Sequence, residues 1–89
     1  MTDNHQKIII GIDTHKDFHH VAVISALGES LTDRKFDATP DGYTALIAWA
    51  TGQGDVLRAG VEGTGSYGAA LTKRLRTAGI TVIDILAPD

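Results

Sequence analysis

The hydrophobic positions follow two different periods along the chain, first that of strands and then that of helices. The runs from Lys7 to Asp13 and from Phe18 to Ala26 are rich in β-branched residues, and the run from Ser30 to Asp37 is more polar. Runs of this length and composition predict β-strands. Only Leu27-Gly28-Glu29 separates the second run from the third, so these two strands form an antiparallel hairpin. The mixed polarity of the third run predicts a sheet edge.

The first of these runs has a feature that the others lack. Its isoleucines do not alternate with polar residues, and this pattern predicts a central strand with both faces covered. A single acidic residue, Asp13, stands at its carboxyl end.

From Thr39 onwards the spacing of apolar residues becomes helical. Thr39-Pro40-Asp41 combines a hydroxyl cap, a proline at the first helical position and an acid in the first turn. Gly52 and Gly54 mark the end of this helix. Its predicted apolar stripe recurs at i, i+3, i+4 and i+7 and consists of Tyr43, Leu46, Ile47 and Ala50.

A strand, a second helix and a last strand complete the pattern. The fourth strand runs from Leu57 to Glu62, and the fifth from Ile80 to Leu86. Ser66 is the expected cap of the helix between them, and Gly79 is its expected C-terminal glycine. The predicted buried stripe of this helix consists of Ala70, Leu71, Leu75 and Ala78.

The predicted order is β-β-β-α-β-α-β, a meander of three strands followed by alternating helices and strands. Because strands four and five are joined through a helix, they are expected to be parallel with a right-handed crossover. This order predicts an α/β chain with a mixed five-stranded sheet and the opening topology of a ribonuclease H-like fold. We expect residues 1–6 to form a flexible tail and residues 7–89 to form one domain.

Composition narrows the classes of function. The 89 residues contain no cysteine, which excludes disulfides and thiolate metal sites and suits a reducing cytoplasm. No apolar stretch approaches the ~20 residues of a membrane span, and the first residues lack the layout of a signal peptide. The net charge of −3 gives no overall basic field, so a nucleic-acid partner would have to be held locally.

Two acidic residues at strand ends are the strongest candidates for chemistry. Asp13 ends the first strand and Glu62 ends the fourth, and ligands of open α/β sheets bind outside the carboxyl ends of strands. If the two strands are parallel neighbours, both carboxylates reach one crevice. Carboxylate oxygens suit Mg²⁺ or Mn²⁺, which complete their coordination shells with water and phosphate. The alternative for Asp13 is a turn former that bonds its own backbone.

Three histidines next to Asp13 suggest a different metal site. His15, His19 and His20 lie close together in sequence. The stretch is extended, however, so His19 and His20 point to opposite faces of a strand. Lys16 is either a solvated turn residue or a phosphate contact.

The segment GTGSYG is a literal G-x-G-x-x-G formed by Gly63, Gly65 and Gly68, with Asp84 nineteen residues after the second glycine. One interpretation is a dinucleotide-binding turn. The other is a tight turn that lets the helix pack closely and whose free N–H groups can meet an anion. We expect Gly65 to need a positive φ. The basic residues of the following helix, Lys73, Arg74 and Arg76, either form a solvated face or contact phosphate.

Three blocks of sequence together resemble a known family. They are GIDTHKDFHHVAVISALGESL, FDATPDGYTALIAWA and VEGTGSYGAALTKRLRTAGITVIDILAPD. They are similar to the N-terminal RuvC-like domain of the DEDD-type insertion-sequence transposases, which are recombinases guided by a bridge RNA. The resemblance extends from Lys7 to Asp89.

The resemblance implies roles for particular residues. The first acidic residue of the family falls on Asp13 and its glutamate on Glu62, as catalytic residues that hold Mg²⁺ or Mn²⁺, weakly in this chain. The family has two further aspartates three residues apart and a later domain with a serine nucleophile. Asp84 and Asp89 do not occupy the positions of those aspartates. Candidate phosphate contacts are Lys16, Thr64 and Ser66.

The implied function is metal-dependent DNA strand cleavage and exchange during transposition, with this 89-residue chain inactive alone. The implied partners are DNA, a guide RNA and further copies of the parent protein, in the bacterial cytoplasm and without a membrane. Two alternatives stay open. One is an actin-like or Rossmann-like nucleotide-binding module that uses GTGSYG, and the other is a non-catalytic oligomerisation fragment with an exposed Trp49.

Overall fold

A computed structural model describes residues 6–86, which form one sheet and two helices. Of the expected tail, residues 1–5 lie outside the described residues, as do residues 87–89, which include Asp89. The elements in chain order are β1 (Lys7–Thr14), β2 (Phe18–Ser25), β3 (Ser30–Asp37), α1 (Pro40–Gln53), β4 (Asp55–Glu62), α2 (Ala69–Thr77) and β5 (Val82–Ile85). The predicted order β-β-β-α-β-α-β is confirmed, and this α/β arrangement is consistent with a ribonuclease H-like fold.

The sheet is mixed and has the spatial order β3-β2-β1-β4-β5. β1 pairs antiparallel with β2 and parallel with β4, and β5 joins β4 in parallel. The apolar strand β1 is therefore central and the more polar β3 is an edge, as predicted. Within residues 6–86, no helix is long and apolar enough to cross a membrane.

The core lies on one face of this sheet. Alternate residues of the three middle strands point into it, because successive side chains of a strand point to opposite faces. They meet the buried residues of both helices in one cluster. The fully buried large apolar side chains of this cluster are Ile8, Ile10, Val21, Val23, Leu46, Val61, Leu71 and Leu75.

The opposite face of the sheet, which we call the open face, carries no helix among residues 6–86. Ile9 and Gly11 of β1 are half-buried there and Asp13 is exposed. The expectation that both faces of β1 are covered is therefore wrong for the described part of the chain. The isoleucine run of β1 does not alternate with polar residues because the open face is itself partly apolar at this level. Ile9 lies there beside Ile24, its register partner on β2.

α1 begins as its sequence predicts. Thr39 has an extended backbone, and its hydroxyl oxygen accepts a hydrogen bond from the Gly42 N–H at 3.1 Å. Of the predicted stripe, Tyr43, Leu46 and Ala50 are buried, and Ile47 is partly buried against the core.

α2 differs from the prediction at its start and along its stripe. The helix begins at Ala69 after Gly68, with no side-chain cap, so Ser66 is not the N-cap. Its buried residues are Leu71, Thr72 and Leu75, whereas the predicted stripe members Ala70 and Ala78 are exposed.

The C-terminal end of α2 is confirmed in detail. Gly79 has a φ of +83° and follows the last helical turn. The Ile80 N–H donates to the Leu75 carbonyl, and the Gly79 N–H donates to the Arg76 carbonyl, each at 3.0 Å. This pair of bonds is the Schellman motif, which satisfies the last carbonyls of a helix.

Candidate active site

Asp13 and Glu62 lie at the carboxyl ends of two neighbouring parallel strands at the centre of the sheet. The last paired residues of β1 and β4 are Ile12 and Val61. Asp13 is the next residue after Ile12, and Glu62 is the next residue after Val61. Since Ile12 and Val61 are buried in the core, the next residue on each strand points to the open face. The two carboxylates therefore lie on the same face, on adjacent strands, at the same level.

Both acids line one shallow depression of about 210 Å³ on the open face. Two glycines, Gly11 and Gly60, pair with each other just before the acids. Because these two glycines carry no side chain, the backbone itself forms the bottom of the depression. A Cβ atom at Gly60 would collide with the Ile85 side chain, which lies against it. The lining residues are Gly11, Ile12, Asp13, His20, Ala22, Gly60, Glu62 and Ile85.

One row of residues crosses all five strands at this level. Asp13 pairs with His20 of β2, and His20 pairs with Lys35 of β3. On the other side Glu62 pairs with Ile85 of β5. The acids therefore lie at the middle of the sheet, between a polar half and an apolar half. A larger depression of about 260 Å³ lies at the opposite end of β1, lined by residues such as Lys7 and Leu31, and contains neither acid.

Asp13 is open to solvent and has one side-chain partner among residues 6–86. Its carboxylate is 56% exposed, and the Nε2 atom of His15 lies 3.2 Å from its Oδ2 atom. Glu62 is half-buried. The backbone of Glu62 is fixed by Thr14, whose hydroxyl donates to the Glu62 carbonyl at 2.7 Å. This bond ties the ends of β1 and β4 together immediately beside the two acids.

The turn after Glu62 is closed by its own backbone. Gly63 has a φ of +72°, and its carbonyl accepts from the Ser66 N–H at 3.0 Å and the Gly68 N–H at 2.8 Å. Gly68 packs closely, since a Cβ there would lie 3.0 Å from the Thr14 methyl carbon. Gly65 has no positive φ and open space around it, so the expectation for that glycine is wrong.

The chain matches a known family over nearly its whole length. A family model for the DEDD transposases of IS110 elements, described as transposase, matches residues 10–88. The chain belongs to the DEDD transposase family. No curated protein is similar enough to this transposase domain to count as a match.

In this transposase domain the segment GTGSYG does not form an open anion cradle. The N–H groups of Ser66, Gly68 and Ala69 all donate to carbonyls within the turn. The side-chain oxygen of Ser66 is also directed inwards, 3.4 Å from the Gly63 carbonyl. Phosphates bind to free amides at the start of a helix, and these three amides are not free. The geometry favours the tight-turn interpretation over nucleotide binding.

The three histidines of the transposase domain do not come together. His19 is fully buried on the core face, and His20 lies on the open face with its Nε2 atom bonded to Asp33. This separation agrees with the prediction from strand alternation. Within residues 6–86, no three or more histidine, aspartate or glutamate side chains are placed to hold a metal ion together.

The remaining candidate contacts are spread over the surface. Lys16 is exposed in the turn between β1 and β2, and Thr64 is half-buried in the turn after β4. On α2, Arg74 donates to the Thr44 hydroxyl of α1, which gives it a structural partner, while Lys73 and Arg76 are exposed.

Trp49 does not fit the expectation of an exposed contact residue. It is partly buried against the core, and its ring packs on Phe36 at 5.6 Å with a tilt of 53°. The alternative function as an oligomerisation fragment depended on an exposed Trp49 and is therefore not supported by this residue.

Two residues beside the acids, His15 and Thr14, make contacts that the sequence does not predict. The sequence suggests only a metal-ligand role for His15 and does not single out Thr14. A signal is present for Thr14, because strand alternation directs the residue after Asp13 away from the open face. No local pattern shows that the ring of His15 turns back to Asp13.

Proposed function

We propose that this chain supplies the first two carboxylates of the DNA strand-cleavage and strand-exchange site of a DEDD transposase. The observation that carries the proposal is the pairing of β1 with β4, which puts Asp13 and Glu62 on adjacent strands at one depression. Membership of the transposase family supports the reaction class. Asp13 and Glu62 are the proposed catalytic residues.

The chemistry of the two acids suits a magnesium or manganese ion. Both offer oxygen ligands, and both are accessible enough for a hydrated ion to reach them. Mg²⁺ is commonly held by one or two carboxylates and keeps several waters, which substrate phosphates replace. When bound, such an ion supplies charge stabilisation at the reacting phosphate and activates the attacking oxygen.

The protein's contribution is to hold the two carboxylates rigidly. β1 is the central strand, its neighbours pair with it on both sides, and Thr14 fixes the backbone of Glu62. A site built on central strands is more rigid than one built on loops. Candidate phosphate contacts around it are Lys16, Thr64 and Ser66, of which Lys16 is the charged one.

The proposed substrate is DNA, bound by the parent protein together with a guide RNA and as a homo-oligomer in the bacterial cytoplasm. The support for these partners is the family alone. The net charge of −3 fits a protein that holds nucleic acid locally rather than through an overall positive field.

The test is a Mn²⁺ titration of the purified chain followed by NMR line broadening. We expect broadening to centre on the ends of β1 and β4, and to weaken strongly in Asp13→Asn and in Glu62→Gln. The matched control is Asp84→Asn. It removes the same charge from the neighbouring strand, and its register partner Val61 puts it on the core face.

Two results would contradict the proposal. Broadening that is centred on His15, His19 or His20 and stays undiminished in Asp13→Asn and in Glu62→Gln would favour a histidine site. If Asp84→Asn and Asp13→Asn weakened the Mn²⁺ broadening equally, the broadening would reflect a general attraction of the cation to negative charge and not a specific site.

A further inference from the structure

His15 is fixed in place by contacts with its neighbours in the turn between β1 and β2. Its backbone N–H donates to the Phe18 carbonyl at 3.0 Å, and the same N–H approaches the Nδ1 atom of His19 at 3.4 Å. Its ring stacks on the ring of Phe18, with centroids 4.5 Å apart and planes 21° apart. Both the backbone and the imidazole of His15 are therefore restrained, although the side chain is 45% exposed.

The buried His19 contributes to this arrangement. Because its Nδ1 atom accepts the His15 N–H, the proton of the neutral ring is on Nε2. That Nε2 atom is buried and has no hydrogen-bond partner among the described residues. A buried donor without a partner is unfavourable. What stabilises His19 at this position is the hydrogen bond that its Nδ1 atom accepts from the His15 backbone N–H, together with its stacking on Tyr43.

The restrained ring of His15 directs one nitrogen at Asp13. The Nε2–H tautomer donates to Asp13 Oδ2, with 3.2 Å between the two atoms. An exposed hydrogen bond usually contributes little, because two free side chains must be ordered to form it. Here the ring is already ordered by Phe18, so only the carboxylate remains to be fixed.

We propose that His15 is a positioning residue for Asp13, whose imidazole N–H holds the carboxylate by Oδ2 and leaves Oδ1 for a divalent cation. The inference rests on the proposed function of Asp13 as a metal ligand. A ligand role for His15 itself is not favoured, since the nitrogen nearest the site is occupied as a donor. Carboxylates that bind metals are commonly oriented by hydrogen bonds of this kind.

The experiment compares two substitutions at His15. His15→Phe keeps a ring that can stack on Phe18 but has no N–H, and His15→Gln keeps an N–H at a similar reach but has no ring. In the metal-free protein, three-bond couplings report the side-chain rotamers of Asp13. We expect one dominant rotamer in the wild type and in His15→Gln, and averaging in His15→Phe.

Mn²⁺ affinity is the second measurement. Loss of such an orienting partner costs ~10–100-fold in metal affinity, and we expect about tenfold for His15→Phe because the bond is exposed. His15→Gln should stay within about threefold of the wild type by the same reasoning. Melting temperatures show whether each variant is folded, and His15→Ala replaces His15→Phe if that variant does not fold.

The matched control is His20→Phe. It removes an imidazole from the same depression, but the His20 ring bonds Asp33, so the rotamer of Asp13 should not change. An unchanged Asp13 rotamer in His15→Phe overturns the inference, and so does a tighter Mn²⁺ affinity, which would mean that His15 competes with the cation. If Asp13→Asn leaves Mn²⁺ binding intact while the rotamer result holds, the proposed function fails and the positioning contact stands.

Discussion

His19 is a titratable side chain that the fold removes from water. It is fully buried, and its ring lies 5.7 Å from that of Tyr43 with only 12° between the planes. Burial lowers the pKa of His19 below its ordinary value. An interaction of the ring with the Phe18 backbone raises the pKa in part, and the nearby His15 lowers it further. The folded state therefore favours the neutral imidazole more than the unfolded chain does.

This burial predicts a loss of stability at mildly acidic pH. The unfolded chain binds a proton at His19 near the ordinary histidine pKa of 6.5, whereas the folded chain resists protonation because its pKa is lower. Stability is therefore full above about pH 7 and falls as the pH drops through about 6.5, until the lower folded pKa is reached. Urea unfolding between about pH 7.5 and about pH 5 should show this decrease, and His19→Phe should remove most of it.

The control for the pH experiment is His20→Gln, which replaces a histidine of the open face and should keep the decrease. If the decrease persists unchanged in His19→Phe, other groups are responsible for it. The neighbours of His19 that carry a titratable group are His15, whose backbone N–H approaches the Nδ1 atom of His19, and Tyr43, whose ring stacks on it.

The sequence predicts the positions of those side chains whose direction depends on strand geometry alone. Asp13 and Glu62 are predicted correctly to share a face because each directly follows a buried residue of its strand, and alternation alone sets the face. The prediction for Trp49 is wrong, because helix periodicity cannot show that Phe36 of β3 reaches it from the side. The bond from His15 to Asp13 depends on rotamers, which no local pattern specifies.

The turn between β4 and α2 is the element next to the proposed site that depends most on glycine. Gly63 has a positive φ, and an added Cβ would lie 2.9 Å from the Thr14 hydroxyl oxygen. Gly65, two residues on, has neither restraint. Gly63→Ala should destabilise the fold by about 1–2 kcal/mol, the usual cost of the left-handed conformation, whereas Gly65→Ala should change it by less than about 0.5 kcal/mol.

Chemical denaturation of the two glycine variants measures this difference, with each acting as the control for the other. Equal destabilisation would show that the turn responds to any substitution. A strongly destabilised Gly65→Ala would indicate that this glycine needs a conformation that alanine cannot adopt.

The two helix starts show when an element can be predicted from sequence. The start of α1 depends on local contacts. The Thr39 side chain accepts a hydrogen bond from the Gly42 N–H, and Pro40 and Asp41 lie in the same first turn. The start of α2 is not local, because the Gly63 carbonyl captures the amides of Ser66 and Gly68 and delays the helix. The hydroxyl of Ser66 is drawn into the same turn, so its capping preference has no effect.

The order of the strands in the sheet can be predicted from the connections between them, whereas which faces of the sheet are covered cannot. Short turns enforce antiparallel neighbours, and a helical connection allows parallel ones, which is enough to place β1 beside β4. Whether one or both faces of the sheet are covered depends on the face against which each connecting helix packs. Both helices lie on the core face, so large apolar side chains such as Ile83 and Ile85 are 47% and 41% exposed.

The 89-residue chain should not cleave DNA or RNA by itself, even with Mg²⁺ or Mn²⁺. Two carboxylates hold one hydrated ion only weakly, because Mg²⁺ retains its waters and needs substrate phosphate to complete its shell. A two-metal reaction requires further ligands to fix the second ion, and residues 6–86 contain no group of three suitable side chains.

Weak DNA binding adds to the shortage of ligands. Contacts with phosphates supply most non-specific affinity for DNA, and the eight basic residues of the chain are outnumbered by eleven acidic ones. The test is to incubate the purified chain with labelled duplex, branched and single-stranded substrates and either metal, with Asp13→Asn as the control for contaminating nucleases. Cleavage by the wild type that disappears in Asp13→Asn would show that Asp13 takes part in cleavage and that this chain already supplies enough ligands for the reaction.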